Sequence, residues 1–205
     1  MAKTPILKNV EQVASGWVNK YVLTYEMPDG RLHFYESVSR KPLEAFRAGL
    51  EARGQRSAQD ADCVESPDAV CIVAQTPRNS LVMIREFRYP LNSWCIAFPA
   101  GLVDAGEDVV ECACRELEEE TGYQVACREN ARVLPQPGFS STGLTDETVA
   151  IVFVEADRAG ESHTEPNELI EVFELPLAEV DEFLNANTTP IGTRAQLILE
   201  SYRTR

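Results

Sequence analysis

Apolar runs of strand length recur along the chain and are interleaved with segments of helical periodicity. Between positions 17 and 39, apolar and polar residues alternate on both sides of the turn-forming Pro28, Asp29 and Gly30, which predicts a β-hairpin. Further apolar runs predict the strands of a central sheet at 70–74, 81–84, 95–98, 149–154 and 169–175. Helices are predicted after position 41, at 107–121 and at 190–202. This alternation indicates an α/β sandwich rather than a parallel doubly wound sheet.

The segment 107–121 carries the start and stop signals of a helix. Glu107 and Asp108 stand in its first turn, where the helix dipole favours negative charge, and Gly122 is a typical C-terminal stop. An apolar stripe at three- and four-residue spacing is formed by Val110, Ala113 and Leu117. We therefore expect this face of the helix to pack in the core.

Another face of the same helix carries the carboxylates of Glu116, Glu119 and Glu120. Like charges at this spacing repel one another by about a few tenths of a kcal/mol per pair, so an isolated helix gains nothing from them. A hard divalent cation would turn that cost into a binding site. The three glutamates alone fit a solvated acidic surface equally well, and the residues around them decide between the two interpretations.

The surrounding residues follow the pattern G-x5-E-x7-R-E-U-x-E-E-x-G-U, in which U is a bulky apolar residue. Its fixed positions are filled by Gly101, Glu107, Arg115, Glu116, Leu117, Glu119, Glu120, Gly122 and Tyr123. This stretch resembles the Nudix box of the Nudix hydrolases, with Tyr123 in place of the more usual aliphatic residue. The resemblance implies the Nudix fold, a mixed β-sheet flanked by helices in an α/β/α sandwich with an N-terminal β-hairpin arm.

The resemblance also divides the chain into an arm with a connector at 1–62 and a Nudix hydrolase domain at 63–205. Within the first part, the residues at 41–62 predict a short helix followed by a flexible connection, because Gly and Ser collect towards the end of the segment. The arm is implied to contribute to dimerisation and substrate stacking.

By resemblance, Glu116 and Glu120 bind Mg²⁺ or Mn²⁺, Glu119 assists, and the backbone carbonyl of Ala100 completes the set of metal ligands. Oxygen ligands of this kind suit these cations better than zinc. Glu119 and Glu120 are therefore expected to be catalytic residues as well as metal ligands.

Two other box residues, Arg115 and Glu107, are expected to pair and to hold the loop and the helix together. The general base is implied to lie on a loop after the box, where two candidates fit. Glu168 in NELIEVFELP has the better local match, and Glu147 in LTDET is the second candidate.

Beyond the box, the chain resembles the ADP-ribose and ADP-sugar pyrophosphatase branch of the family. The run REFRYPLNSWCIAFPAGL places Arg88 at that branch's substrate-contacting arginine, and the hairpin places Trp17 and Tyr35 at its adenine-stacking positions. Glu36 and Arg40 correspond to residues that touch the adenine edge and the phosphates, although both also fit a surface ion pair. Arg88 and the two aromatic residues fit ordinary strand surfaces too.

The chain departs from this branch at two places. Ala97 stands where the branch usually has Glu before Pro-Ala-Gly, so one carboxylate is missing near the expected site. Pro137 and Gly138 come slightly early for the Pro that the branch carries after the box, and Thr142 and Gly143 give a second alignment. These departures affect the expected sugar preference more than the expected reaction.

Composition narrows the possible partners. The 205-residue chain has 33 acidic and 19 basic residues and a net charge of −14, which argues against a general nucleic-acid or anionic-membrane surface. The six cysteines lie in or beside apolar runs without zinc-type spacing, and they are expected to be buried free thiols: Cys63, Cys71, Cys95, Cys112, Cys114 and Cys127. With no long apolar run at the N-terminus, we expect a cytoplasmic protein, by resemblance a homodimer.

The expected function is the Mg²⁺-dependent hydrolysis of ADP-ribose or a related ADP-sugar to AMP and a sugar phosphate. The same metal chemistry would also serve a GDP-sugar or an oxidised nucleoside diphosphate, because guanine stacks on aromatic rings almost as well as adenine. A non-catalytic sensor of ADP-ribose is a further alternative, although every box carboxylate is present and no basic helix-turn-helix follows. An unrelated α/β protein with an accidental acidic helix would bind no metal.

Overall fold

The computed structural model describes residues 4–55 and 66–203. The strands are β1 (Ile6–Ala14), β2 (Asn19–Glu26), β3 (Leu32–Ser39), β4 (Ala69–Gln75), β5 (Ser80–Arg88), β6 (Ser93–Ala97), β7 (Ala100–Leu102), β8 (Tyr123–Val125), β9 (Arg132–Val133), β10 (Gly138–Phe139), β11 (Thr148–Arg158) and β12 (Ile170–Pro176). The α-helices are α1 (Leu43–Gln55), α2 (Val109–Thr121), α3 (Val180–Ala186) and α4 (Thr193–Ser201).

The chain divides into two compact units. One combines the residues up to Ser66 with Gln136–Val149, and the other combines Pro67–Pro135 with the residues from Ala150 onwards. The predicted boundary between positions 62 and 63, and the predicted flexible connection after α1, lie outside the described residues. Only the helical half of that predicted connector is therefore described, as α1.

The first unit is built on a three-stranded antiparallel sheet in the order β1-β2-β3. The predicted hairpin of β2 and β3 is confirmed, with Asn19 opposite Ser39 and Glu26 opposite Leu32. Strand β1 was not predicted, and its pairing with β2 shifts register twice. Such irregularities break the two-residue alternation that reveals a strand in a sequence.

Helix α1 covers this sheet through a small core. The Phe46 ring stacks on the Tyr21 ring at 4.4 Å between centroids, and both side chains are fully buried. Val10 and Leu23 complete the buried cluster. The predicted hairpin is therefore part of a two-layer unit, in which helix α1 packs on a three-stranded sheet.

The second unit contains the predicted mixed sheet flanked by helices, which is confirmed. Its central strands follow the order β11-β4-β5-β12. Strand β6 pairs with the last five residues of β5, from Ile84 to Arg88. All five predicted strands of the sheet are present within a few residues of the predicted bounds. Strand β5 is longer than predicted and continues to Arg88.

Helix α2 packs on this sheet through its apolar face. Leu117 and Ala113 of the predicted stripe are fully buried, together with Cys112, while Val110 is half-buried. Leu117, Ala113 and Cys112 join a core that includes the strand residues Val70, Ile72, Ala74, Val82, Ala150, Val152, Val154 and Ala156. Burying a leucine side chain completely contributes about 1.5–3 kcal/mol, so this face fixes α2 firmly to the sheet.

Two helices follow the last strand. The predicted terminal helix at 190–202 is confirmed as α4, whereas the seven-residue α3 was not predicted. No helix in the ranges 4–55 and 66–203 is both long enough and apolar enough to cross a bilayer.

The described cysteines are all free thiols. Cys71, Cys95, Cys112 and Cys114 are buried as expected, and Cys63 lies outside the described residues. Cys127 is exposed, contrary to the expectation of burial, because it lies beyond the end of the short strand β8 and starts a surface 3₁₀ turn at 128–130.

Candidate active site

Helix α2 has a defined start and end. The Asp108 carboxylate accepts hydrogen bonds from the N–H groups of Val110 (2.8 Å) and Glu111 (3.3 Å) and caps the helix, which begins at Val109, two residues after the predicted Glu107. At the other end Gly122 has φ +72° and donates its N–H to the Glu118 carbonyl at 2.8 Å. Only glycine adopts this left-handed conformation without strain, which explains the Gly of the box pattern.

The loop before the helix is tied to it by Glu107 and Arg115, as expected. Arg115 donates Nε to Glu107 Oε1 at 2.8 Å and Nη2 to Oε2 at 2.9 Å, a two-pronged ion pair. The Asp104 N–H adds a third hydrogen bond to Glu107 at 3.0 Å. The hydrogen bonds from Arg115 lower the pKa of Glu107 to about 2, so this carboxylate stays ionised.

The first box residue, Gly101, lies directly against Glu116. A Cβ built at Gly101 would overlap the Glu116 carboxylate, so any larger residue here would displace that carboxylate from its present position. Burial raises the pKa of Glu116 although Arg115 Nη1 donates to its Oε1 at 2.8 Å. Glu116 is therefore held between the loop backbone and the arginine.

Glu120 is the most deeply buried carboxylate of the helix, with an exposed fraction of 6%. Its Oε2 accepts a hydrogen bond from the Ala100 N–H at 3.0 Å. Burial raises the pKa of Glu120 to about 8, and the negative charges of three neighbouring carboxylates add to the rise. These neighbours are Glu86, Glu116 and Glu168.

Glu119 lies differently from the other two predicted metal ligands. Its side chain is 49% exposed and accepts a hydrogen bond from Arg115 Nη1 at 3.2 Å. The expected common face of three carboxylates is thus divided by burial. Within 4–55 and 66–203, no three His, Cys, Asp or Glu side chains are placed to hold a metal ion together.

A cavity of about 180 Å³ opens beside Ala100 and Glu120. It is also lined by Glu86 and Arg88 from β5 and by Glu168 from the segment before β12. The structure therefore brings together four predicted site residues from separate parts of the sequence: Arg88, Ala100, Glu120 and Glu168.

Strand pairing explains how Glu168 reaches this cavity. Strand β12 begins at Ile170, opposite Glu86, and the Phe87 N–H donates to the Leu169 carbonyl at 3.0 Å. The residues just before β12 therefore run past the end of β5. The Glu168 side chain itself accepts a hydrogen bond from the Glu165 N–H at 3.0 Å.

Glu86 was missed by sequence reasoning. It stands two residues before Arg88 on β5, and alternate residues of a strand share one face, so this position carried a usable signal. Glu86 Oε1 lies 2.6 Å from Arg88 Nη2.

The predicted aromatic residues lie in the first unit. Trp17 is 78% exposed, whereas the Tyr35 hydroxyl donates a hydrogen bond to the Gly143 carbonyl at 2.6 Å. The centroid of the Tyr35 ring lies 6.3 Å from that of the His33 ring. Within the described residues, the Trp17 and Tyr35 rings do not stack on each other.

The two weaker substrate candidates, Glu36 and Arg40, both form ion pairs. Glu36 pairs with Lys20 at 2.9 Å, and Arg40 pairs with Glu147. Glu147 also accepts a hydrogen bond from the Ser140 hydroxyl at 2.6 Å. The second candidate for the general base is thus held by partners from its own unit.

The residues around Ala100 fit a hard divalent cation. Glu116 and Glu120 are oxygen donors whose charged forms are disfavoured by burial, and a cation would stabilise exactly those forms. The loop backbone approaches both side chains, through Gly101 at Glu116 and through Ala100 at Glu120. The Ala100 N–H contacts Glu120, and the role of the Ala100 carbonyl as a metal ligand stays a prediction.

Fold and site together define an α/β protein whose acidic helix and preceding loop can hold a divalent cation beside a small cavity. A model of the NUDIX domain matches residues 65–194. The chain therefore belongs to the Nudix family.

Two relatives match most of the chain. ADP-sugar pyrophosphatase of Mus musculus is 31% identical over 181 residues, which are 83% of this chain and 73% of the mouse protein. ADP-ribose pyrophosphatase of Bacillus subtilis is 29% identical over 172 residues, which are 82% of this chain and 77% of the bacterial protein.

The fold has a counterpart among solved structures. The crystal structure of an ADP compounds hydrolase has a TM-score of 0.71 with 22% sequence identity, and the match covers 98% of this chain and 94% of that chain. This likeness confirms the predicted Nudix fold over nearly the whole chain.

Proposed function

We propose that this protein hydrolyses the pyrophosphate bond of ADP-ribose or a related ADP-sugar, giving AMP and a sugar phosphate. The observation that carries the proposal is the cavity at which Glu120 and Ala100 of the box region meet Arg88 and Glu168. Relatives named ADP-sugar pyrophosphatase and ADP-ribose pyrophosphatase support this substrate class.

We assign Mg²⁺ binding to Glu116 and Glu120, with the Ala100 carbonyl as a backbone ligand and Glu119 assisting. The burial of Glu116 and Glu120 supports this assignment, because two desolvated carboxylates favour a nearby cation. Mg²⁺ bound there supplies positive charge against the negative phosphates during attack by water. Mn²⁺ offers similar chemistry with the same oxygen ligands.

Glu168 is the general base in this proposal, and its carboxylate takes the proton from the attacking water. Its place on the cavity that Glu120 also lines supports this role. Glu147 is the weaker candidate, because Arg40 and Ser140 already occupy its carboxylate oxygens. A base that is held by a cation is less able to accept a proton.

Arg88 binds a substrate phosphate through its guanidinium, which is 51% exposed at the cavity. A cavity of about 180 Å³ is small beside the roughly 300–1,000 Å³ of typical ligand pockets. It has room for the phosphates but not for a whole nucleotide sugar.

The adenosine half therefore needs further contacts, which we assign to Trp17 and Tyr35 by stacking and to Glu36 and Arg40 by polar contacts. The exposed indole of Trp17 supports stacking. We also propose a homodimer, by resemblance, in which the N-terminal arm serves the partner, and a cytoplasmic location, which the free thiols of the described cysteines support.

The test is hydrolysis of a panel with Mg²⁺: ADP-ribose, ADP-glucose, GDP-mannose and 8-oxo-dGDP. Each substrate is offered to the intact protein and to Glu120→Gln, and EDTA provides a metal-free control. ADP-ribose or ADP-glucose as the best substrate, with both controls inactive, supports the proposal. A preference for GDP-mannose or 8-oxo-dGDP would move the assignment to another nucleotide class. Binding of ADP-ribose without turnover would identify a sensor.

A further inference from the structure

Glu86 is a largely buried carboxylate at the cavity that the proposed function leaves without a task. Only 12% of its side chain is exposed, while its partner Arg88 is 51% exposed. Burial raises the pKa of Glu86, the Arg88 charge opposes that rise, and the Glu168 charge adds to it. A buried carboxylate lowers the stability of the fold unless a partner offsets its desolvation, and at Glu86 that partner is Arg88.

We infer that Glu86 is a positioning residue, which holds the Arg88 guanidinium at the cavity in the orientation that receives a substrate phosphate. The inference rests on the proposed function. Both residues lie on one face of β5, two positions apart, and both line the cavity. The 2.6 Å ion pair joins a fixed carboxylate to an arginine that would otherwise sample many rotamers.

On the β6 side of β5, no carboxylate of the described chain lies beside Glu86 on this face. In the pairing of β5 with β6, Glu86 is opposite Cys95 and Ile84 is opposite Ala97, so positions 86 and 97 are diagonal neighbours on one face. Ala97 carries no polar group. Within the described residues, Glu86 is the carboxylate that forms an ion pair with Arg88, whereas Glu168 lines the same cavity from the β12 side.

The ion pair leaves most of the guanidinium available. Arginine has five N–H donors in a planar fork, and one carboxylate oxygen engages only part of that set. The remaining donors can bind a phosphate in a fixed direction. Glu86 also offsets part of the positive charge of Arg88. If Glu86 positions Arg88, its removal weakens binding of the anionic substrate, whereas if only charge matters, its removal strengthens binding.

The experiment is a double-mutant cycle of Glu86→Gln, Arg88→Gln and the double variant. Binding of ADP-ribose to the metal-free protein in EDTA is measured by calorimetry, and KM and kcat are measured with Mg²⁺. If Glu86 positions Arg88, E86Q weakens binding and raises KM by about tenfold, with kcat within about twofold. Because Glu86 acts through Arg88, the double variant binds no more weakly than R88Q alone.

Glu171→Gln is the matched control. Its carboxylate pairs with Arg85 of the same strand β5 at 2.5 Å and is exposed, so its loss tests the general effect of removing an ion pair from β5. We expect ADP-ribose affinity to be unchanged in this variant. Thermal unfolding is followed for every variant, and if E86Q does not fold, Glu86→Asp tests the same contact with a shorter side chain and is expected to weaken binding.

Three results would overturn the inference. E86Q that binds ADP-ribose as tightly as the intact protein, or more tightly, shows that charge alone decides. A double variant weaker than R88Q by the full factor seen for E86Q shows that Glu86 does not act through Arg88. An intact protein that neither binds nor cleaves ADP-ribose overturns the proposed function and this inference with it, whereas the first two results leave the proposed function standing.

Discussion

The carboxylates at the two ends of the box have pKa values shifted in opposite directions. At the loop end, Glu107 receives two hydrogen bonds from Arg115, which lower its pKa to about 2. At the cavity end, burial raises the pKa of Glu120 to about 8, and its carboxylate accepts a hydrogen bond from the neutral Ala100 N–H. The protein supplies its own cation to the first carboxylate and leaves the second short of positive charge.

This difference separates structural from functional acids. A carboxylate satisfied by an internal arginine stabilises the fold and is chemically quiet. A desolvated carboxylate beside other acids is costly in the folded state, and such groups concentrate at functional sites. Glu147 and Glu168 repeat the contrast, because Arg40 holds the former while the latter lines the cavity with Glu120.

Glu120→Gln tests the cavity end and has the largest expected effect. Losing a metal ligand removes several kcal/mol of transition-state stabilisation, so kcat should fall by about a thousandfold. The free energy of unfolding in EDTA should stay constant or rise, because the folded chain no longer has to desolvate or protonate a carboxylate at this position. Steady-state kinetics and denaturant unfolding measure the two effects. Loss of stability together with activity would show that Glu120 is a structural acid after all.

A comparison of Glu168→Gln with Glu147→Gln tests which of the two carboxylates is the general base. Removing a general base costs about 10²–10⁴-fold in rate, and we expect that loss for Glu168 alone. Glu147→Gln should instead weaken the contact with Arg40 and change kcat by less than about tenfold. Parallel measurement of kcat for both variants decides the matter, and a reversed order would transfer the role of base to Glu147.

Much of the loop end could be predicted from the sequence, because its parts are close together. Glu107 and Arg115 are eight residues apart within one short motif, and they meet because Glu107 lies in the loop directly before α2, which folds back along the helix. The helix itself could be predicted from its apolar stripe and its terminal Gly122.

The cavity end could be predicted only in part. Its Glu86 and Glu168 meet because β5 pairs with β12, a long-range register that no local pattern reveals. The unequal burial of Glu119 and Glu120 was also hidden, because adjacent helix positions differ by about 100° in direction and the packing partner decides which one is covered. Strand β1 was missed because its register shifts interrupt the alternation of apolar and polar residues. Helix α3 was missed because it has only seven residues.

Glu107→Gln tests the loop end, where stability rather than chemistry should respond. Hydrogen bonds to charged groups contribute about 1.5–3 kcal/mol each, and the neutral amide keeps part of the contact, so we expect a loss of about 1–3 kcal/mol. Glu26→Gln is the control, since Glu26 forms an exposed ion pair with Lys8 at 2.7 Å and should cost less than about 1 kcal/mol. Equal losses in the two variants would mean that the Glu107 pair is an ordinary surface contact.

The pH dependence of stability gives the smallest and most specific signal. The pKa of Glu107 is lowered from 4.5 to about 2 on folding, so its ionised form is favoured in the folded chain. The stabilisation is fully present above pH 4.5 and is lost as the pH falls towards 2, because the unfolded chain then binds a proton that the folded chain does not. As the pH falls between these values, the unfolding free energy of the intact protein should decrease more steeply than that of Glu107→Gln. The difference in slope is at most that of one bound proton, about 1.4 kcal/mol per pH unit. Parallel slopes would show that Arg115 does not hold Glu107 in its charged form.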